Sequence, residues 1–182
     1  MAIQRLFIAV PLPPTIRNVL VELTTTLQGV RWTPVDQLHL TLRFLGDVDT
    51  DKLGPLTDRL GQIRVKPFLL PVEGVHAFPP KGPPRVLWTG LGSGHPRLHQ
   101  LRQRIDDTLL AAGLEIDLRS FAPHISLARC GETAGERAVQ WLRAHRGFEG
   151  PSFLVDSFDL YSSELQPTGA VHQLVEQFSL SL

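Results

Sequence analysis

Leu38-His39-Leu40-Thr41-Leu42-Arg43-Phe44-Leu45-Gly46 and Pro123-His124-Ile125-Ser126-Leu127-Ala128-Arg129-Cys130-Gly131 align without a gap. At the centre of each stands a histidine, an aliphatic residue, a hydroxyl residue and a second aliphatic residue, and each ends in glycine. Both are apolar runs that read as strands. Alternation along a strand sends positions i and i+2 to one face. His39 and Thr41 therefore point together, as do His124 and Ser126, while their aliphatic neighbours turn toward a core. An imidazole beside a hydroxyl, present twice, is suited to holding one anionic group between two proton carriers.

The repeat extends outward from these stretches. Asp49 and Thr50 follow the first copy, Glu132 and Thr133 the second, and all four are residue types that cap helices. Upstream, Arg5-Leu6-Phe7-Ile8-Ala9-Val10 and Arg85-Val86-Leu87-Trp88-Thr89-Gly90 each read as a strand leading into a helical pattern. The order strand, helix, histidine strand, helix thus occurs twice. That is a two-fold internal duplication, whereas a solenoid needs several shorter repeats.

Periodicity gives the remaining elements. Strands are expected at 6–10, 38–45, 67–78, 85–91, 120–129, 152–161 and 171–180, and helices at 14–28, 51–63, 96–112 and 134–144. Gly113 is placed to end the third helix. Pro79-Pro80-Lys81-Gly82-Pro83-Pro84 reads as a rigid exposed loop. No low-complexity linker divides the chain, so residues 1–182 are read as one domain with an internal duplication.

Composition narrows the function classes. Lys+Arg and Asp+Glu are 18 each, so the formal charge is zero. That argues against a broad basic surface gripping long nucleic acid, because such binding rests on many phosphate contacts. A local basic pocket remains compatible with it. No run is apolar enough to span a bilayer, and Met1-Ala2-Ile3-Gln4-Arg5-Leu6 lacks the pattern of a signal peptide, so a cytoplasmic location is expected. The single cysteine, Cys130, has no intrachain partner; it shares the parity of His124 and reads as a small core or edge residue. Trp32, Trp88 and Trp141 read as core anchors.

Two histidines on opposite sides of a phosphate can divide phosphodiester cleavage between them. One takes a proton from water and the other gives a proton to the leaving oxygen, tasks that suit an imidazole of unperturbed pKa about 6.5. The Thr41 and Ser126 hydroxyls can donate to non-bridging oxygens, and an arginine can offset charge that grows there. The scheme needs no metal and no cofactor. By strand parity, Arg43 is a cation that would face the cleft. His76, His95, His99, His145 and His172 lack the duplicated setting and read as surface or helix-end residues, with His172 the exception to watch.

With these flanks the chain resembles the two-histidine phosphoesterase superfamily, and within it the RNA 2′,3′-cyclic phosphodiesterases also called 2′-5′ RNA ligases, of the LigT/ThpR type. The resemblance rests on the two motifs, on Trp32-Thr33-Pro34 and Arg85-Val86-Leu87-Trp88, and on the closing Ser163-Glu164-Leu165-Gln166-Pro167-Thr168-Gly169. It implies an α+β bilobal fold: two pseudo-symmetric lobes, antiparallel sheets lining a central cleft, helices outside. It implies hydrolysis of 2′,3′-cyclic phosphate RNA ends or cyclic nucleotides to 2′-phosphomonoesters, with no membrane partner and a monomeric chain. The alternatives are a 2′-5′ RNA ligase and a catalytically idle RNA-end binding module. Carried over by residue, His39 and His124 are the catalytic pair, and Thr41, Ser126 and Arg129 bind phosphate. Phe44 is the platform for the terminal base. His39 is expected as acid and His124 as base.

Phe44 and Arg129 stand at odd spacing from their histidines, so an ideal strand would turn both away from the cleft. They lie near strand ends, where a bulge could redirect them. His172 stands in a region where the family commonly has a tyrosine after the late glycine.

Overall fold

The computed structural model describes residues 2–117, 119–167 and 169–182; Met1 and Thr168, quoted above, lie outside them. The strands are β1 (Ile3–Pro11), β2 (Val30–Trp32), β3 (His39–Asp49), β4 (Phe68–Phe78), β5 (Val86–Gly90), β6 (Ile125–Cys130), β7 (Glu149–Val155), β8 (Ser157–Gln166) and β9 (Gly169–Ser179). The helices are α1 (Pro14–Glu22), α2 (Leu53–Leu60), α3 (Pro96–Ala111) and α4 (Gly135–His145).

The strands form one antiparallel sheet in the order β7-β4-β5-β6-β3-β1-β8-β9, with β2 against β6. The order is symmetric about its middle: β3-β1-β8-β9 runs one way and β6-β5-β4-β7 the other. The two histidine strands meet there, joined by the pair Leu40↔Ile125. These are equivalent positions in the two motifs, so the local two-fold axis of the duplication passes between them. The halves are not consecutive in the chain, because the C-terminal β8 returns to pair with β1.

Helices from different copies pair on the other face. α2 packs on α3, and the Trp141 indole of α4 donates to the Leu23 carbonyl, 3.0 Å away, at the end of α1. Leu20, Leu40, Leu60, Leu87, Leu101, Ile125 and Phe158 belong to one contiguous core that spans both lobes.

Several expected boundaries move. α1 stops at Glu22 rather than near 28, since Thr24-Thr25-Thr26 follows and the Thr24 hydroxyl turns back to the Val21 carbonyl at 2.8 Å. The expected strand at 152–161 is two strands, β7 and β8, which sit in opposite lobes. β2 was not expected; three residues are too few to show a period. The expected caps also fail. Thr50 opens a short 3-10 turn, α2 and α4 begin after Lys52 and Ala134, and neither start has a side-chain cap. Gly113 does end α3, with φ +75° and the Leu114 amide on the Leu109 carbonyl, in the left-handed conformation glycine adopts at low cost.

Candidate active site

Both motifs carry the same backbone irregularity. On β3, Ile8 pairs with Arg43 and Ala9 with Thr41, which leaves Leu42 as an extra residue. On β6, Leu87 pairs with Ala128 and Trp88 with Ser126, which leaves Leu127 extra. Such a bulge makes two successive side chains share a face. Leu42 and Arg43 are both buried, as are Leu127 and Ala128. The next residues, Phe44 and Arg129, therefore return to the side of the histidines. They occupy equivalent positions of the duplication, so one device sets a ring on one wall and a cation on the other.

The bulge also overturns two parity readings. Arg43 does not face the cleft. It is 6% exposed, with its Nε and Nη2 on the two Asp106 carboxylate oxygens at 2.8 and 2.6 Å. It ties β3 to α3. Cys130 shares no face with His124; it is buried, and burial raises its thiol pKa.

A cleft of about 460 Å³ on the opposite face collects His39, Thr41, Phe44, His124, Ser126 and Arg129. Continued from Leu40↔Ile125, the antiparallel register sets His39 opposite Ser126 and Thr41 opposite His124. The histidines are thus diagonal neighbours, on the order of 7–8 Å apart at the backbone.

Each imidazole is held in the same way. The Nδ1 of His39 lies 2.7 Å from the Gln37 carbonyl, and that of His124 lies 2.7 Å from the Ala122 carbonyl. A carbonyl only accepts, so Nδ1 carries the proton in the neutral ring, and Nε2 is the basic nitrogen left for the cleft.

The two walls differ in their electrostatics. His39 packs against Phe7 at 5.1 Å and His172 at 5.4 Å between ring centroids. Loss of solvent lowers its pKa to about 4; the Gln37 carbonyl opposes this, and positive charge at His172, His124 and Arg17 adds to it. Burial lowers the pKa of His172 as well, against the pull of Asp36.

Phe7 is the hub of the first wall. It touches Phe44 at 6.0 Å, stacks on Tyr161 at 5.2 Å and meets the edge of His172 at 4.8 Å. Phe44 itself is 66% exposed, a ring surface open to the cleft. Behind the hub, the Tyr161 hydroxyl and the Gln177 amide donate to the buried Asp159 carboxylate at 2.8 and 3.1 Å. No motif pointed to Asp159 and Tyr161; the signal was only their place on a strand that returns beside β1.

On the second wall, Trp88 is not a core anchor. It lies between His76 and Phe78, at 4.5 and 4.8 Å, and supports the His124 ring at 5.7 Å. His172 is the one histidine outside the motifs that lines this cleft. His95 accepts from the Arg97 amide at the start of α3, and His145 stacks on Trp141. Among the described residues, no three histidine, cysteine or acidic side chains are grouped to hold a metal ion. No described helix is long and apolar enough to cross a membrane.

A symmetric two-lobed sheet with a histidine and a hydroxyl from each lobe facing one cleft defines a two-histidine phosphoesterase. The family model "LigT like Phosphoesterase" matches this chain twice, over residues 10–88 and 91–172, and the chain belongs to that family. It is 37% identical to an RNA 2′,3′-cyclic phosphodiesterase of Thermus thermophilus, across 97% of this chain and 90% of that one. It is 32% identical to the Archaeoglobus fulgidus protein of the same name, across 96% and 99%. The crystal structure of E. coli LigT complexed with 3′-AMP superposes over both whole chains, with a TM-score of 0.82 at 26% identity.

Proposed function

We propose that this protein hydrolyses the 2′,3′-cyclic phosphate of RNA ends or of cyclic nucleotides to a 2′-phosphomonoester, with His39 and His124 as the general acid–base pair. The observation that carries this reading is the matched pair of imidazoles, each with Nδ1 spent on the carbonyl two residues earlier and Nε2 directed to one cleft. The names of the relatives support the same substrate class.

In the proposed step, one Nε2 removes a proton from water as its oxygen bonds to phosphorus. The bond from phosphorus to the 3′-oxygen breaks, and the other histidine delivers a proton to that oxygen. Thr41 and Ser126 donate to the non-bridging oxygens, and Arg129 offsets the charge that grows there. Phe44 offers its exposed ring to the terminal base. Ligation would use the same residues in reverse, but hydrolysis is the direction favoured in water.

Burial sets a condition on the expected division of labour. With its pKa lowered to about 4, His39 is neutral at pH 7. It serves as acid only if it takes up a proton together with the anionic substrate. A substrate with a 3′ thiolate leaving group needs little protonation. His39→Ala should be rescued on it if His39 is the acid; rescue of His124→Ala alone assigns the reverse.

The reading itself is tested by turnover of adenosine 2′,3′-cyclic phosphate, with the product's phosphate position read by ³¹P NMR. A 2′-phosphate is expected. No turnover, or a 3′-phosphate product, overturns it.

A further inference from the structure

The two walls of the cleft are furnished unequally. On the second wall Arg129 stands beside the His124 motif. Phe44, an uncharged ring, holds the equivalent place on the first wall. What adjoins His39 there is a third imidazole. His172 comes from β9, pairs with Ser163 of β8, and both residues line the cleft. Its ring meets His39 at 5.4 Å and Phe7 at 4.8 Å between centroids, steeply inclined to both. His39 and His124 each commit Nδ1 to a carbonyl. The His172 imidazole has no hydrogen-bond partner among the described residues, and both its nitrogens keep access to solvent. Half-burying an imidazole without a partner costs stability, and a ligand that supplies the partner removes that cost.

The groups around His172 decide which ligand suits it. His39 on β3 touches it, and Asp36, in the turn before β3, favours its charged form. Arg5 lines the cleft farther along β1, past Phe7 and opposite Asp47 of β3. Behind Phe7, the Asp159 carboxylate is taken up by Tyr161 and Gln177. Burial opposes charge on both imidazoles of the first wall. It holds His39 down to about 4, whereas the Asp36 carboxylate offsets it at His172. An anion that enters the cleft therefore protonates His172 before His39. We propose that His172 is a third catalytic histidine, which takes up a proton from solvent as substrate binds and donates a hydrogen bond to a non-bridging oxygen of the cyclic phosphate. The inference rests on the hydrolase reading above and gives the first wall a counterpart to Arg129. His172 passes no proton to the reacting atoms. Two rings in contact do not both charge at low cost, so a proton on His172 keeps His39 neutral, as a general base requires.

The first test uses the wild-type protein. Histidine Cε1–H resonances are followed by NMR from about pH 5 to 8, the range in which imidazoles titrate, with and without sulfate, an anion that does not titrate there. Sulfate should raise the pKa of His172 by about 1 or more, and that of His39 by less. A His172 pKa that sulfate leaves in place, or a rise at His39 alone, overturns the proposal. The second test reads KM for adenosine 2′,3′-cyclic phosphate over the same range. The wild-type KM should climb as His172 loses its proton. His172→Gln keeps a donor that does not titrate, so that climb should vanish. His172→Phe keeps the ring contacts and removes the donor; its KM near pH 6 should be roughly 10- to 100-fold higher, the scale of hydrogen bonds to charged groups, with the melting temperature held. An unchanged KM in His172→Phe, or a climb that survives in His172→Gln, overturns the proposal. Absence of turnover by the wild type overturns the hydrolase reading instead, and the sulfate titration still decides the role of His172.

Discussion

In the proposed mechanism, replacing His39 or His124 by alanine removes one of two proton carriers that act in a single step. Turnover should fall roughly 10²- to 10⁴-fold in either variant, with the double variant little worse than the more damaged single one. A near-normal rate in either single variant rejects the pair. His39 also links the cleft to stability. Its pKa is about 4 in the folded chain against 6.5 ordinarily, so between these values the unfolded chain binds more protons. Stability should therefore fall as pH drops from about 6.5 to 4. Melting followed across that window should show a shallower decline in His39→Gln; an identical decline contradicts the burial of a neutral ring. Activity should survive a chelator unchanged, since the proposed charge-stabilising groups are all side chains. Loss with chelator and recovery with added metal would refute that.

At the scale of elements, the bulges separate two arginines that the alternation rule confuses. Arg43 faces α3, where Asp106 also takes Arg102 at 3.1 Å. Removing Arg43 leaves the part-buried Asp106 with Arg102 alone, at a cost of about 1–3 kcal/mol. Arg43→Ala should therefore lower the melting temperature strongly while the folded fraction keeps most of its kcat/KM. Arg129→Ala should do the opposite. If Arg129→Ala melts early with full activity, the residue is structural. The alternation was legible in the sequence, and so was the room for a break in it near the strand ends. Its break at Leu42 and Leu127 was not, because a bulge is set by how β1 and β5 lie against the motif strands. Those partners are distant in the chain.

At the scale of the molecule, the lobes share one core, helix pairs drawn from both copies, and strands that cross between halves. We propose that they unfold together. Heating should give coincident transitions by tryptophan fluorescence and far-UV circular dichroism. Two separated transitions would show that each lobe folds alone. The shared core also bears on the site, because the histidines stand on the two strands that join the lobes through Leu40↔Ile125. Any slippage at that pair would move one histidine against the other.

The duplicated motifs and the local periodicity determined the two-fold repeat, three of the four helices to within a few residues, and the places of His39, Thr41, His124 and Ser126 in the cleft; the α+β fold, Phe44 and Arg129 were expected only from the family resemblance. The motifs and the periodicity could do so because period-two and helical patterns are local, and a repeated histidine and hydroxyl is chemically specific. Other features were decided only by tertiary structure. The sheet order brings β8 back to β1, and with it Tyr161, Asp159 and His172 to the first wall. β2 lies on β6, which sets Arg31 against Arg129. The solvent lost around His39 comes from Phe7 and His172, residues far from it in sequence. In each case the property belongs to a contact between distant segments, and no local pattern in the chain records which segments will meet.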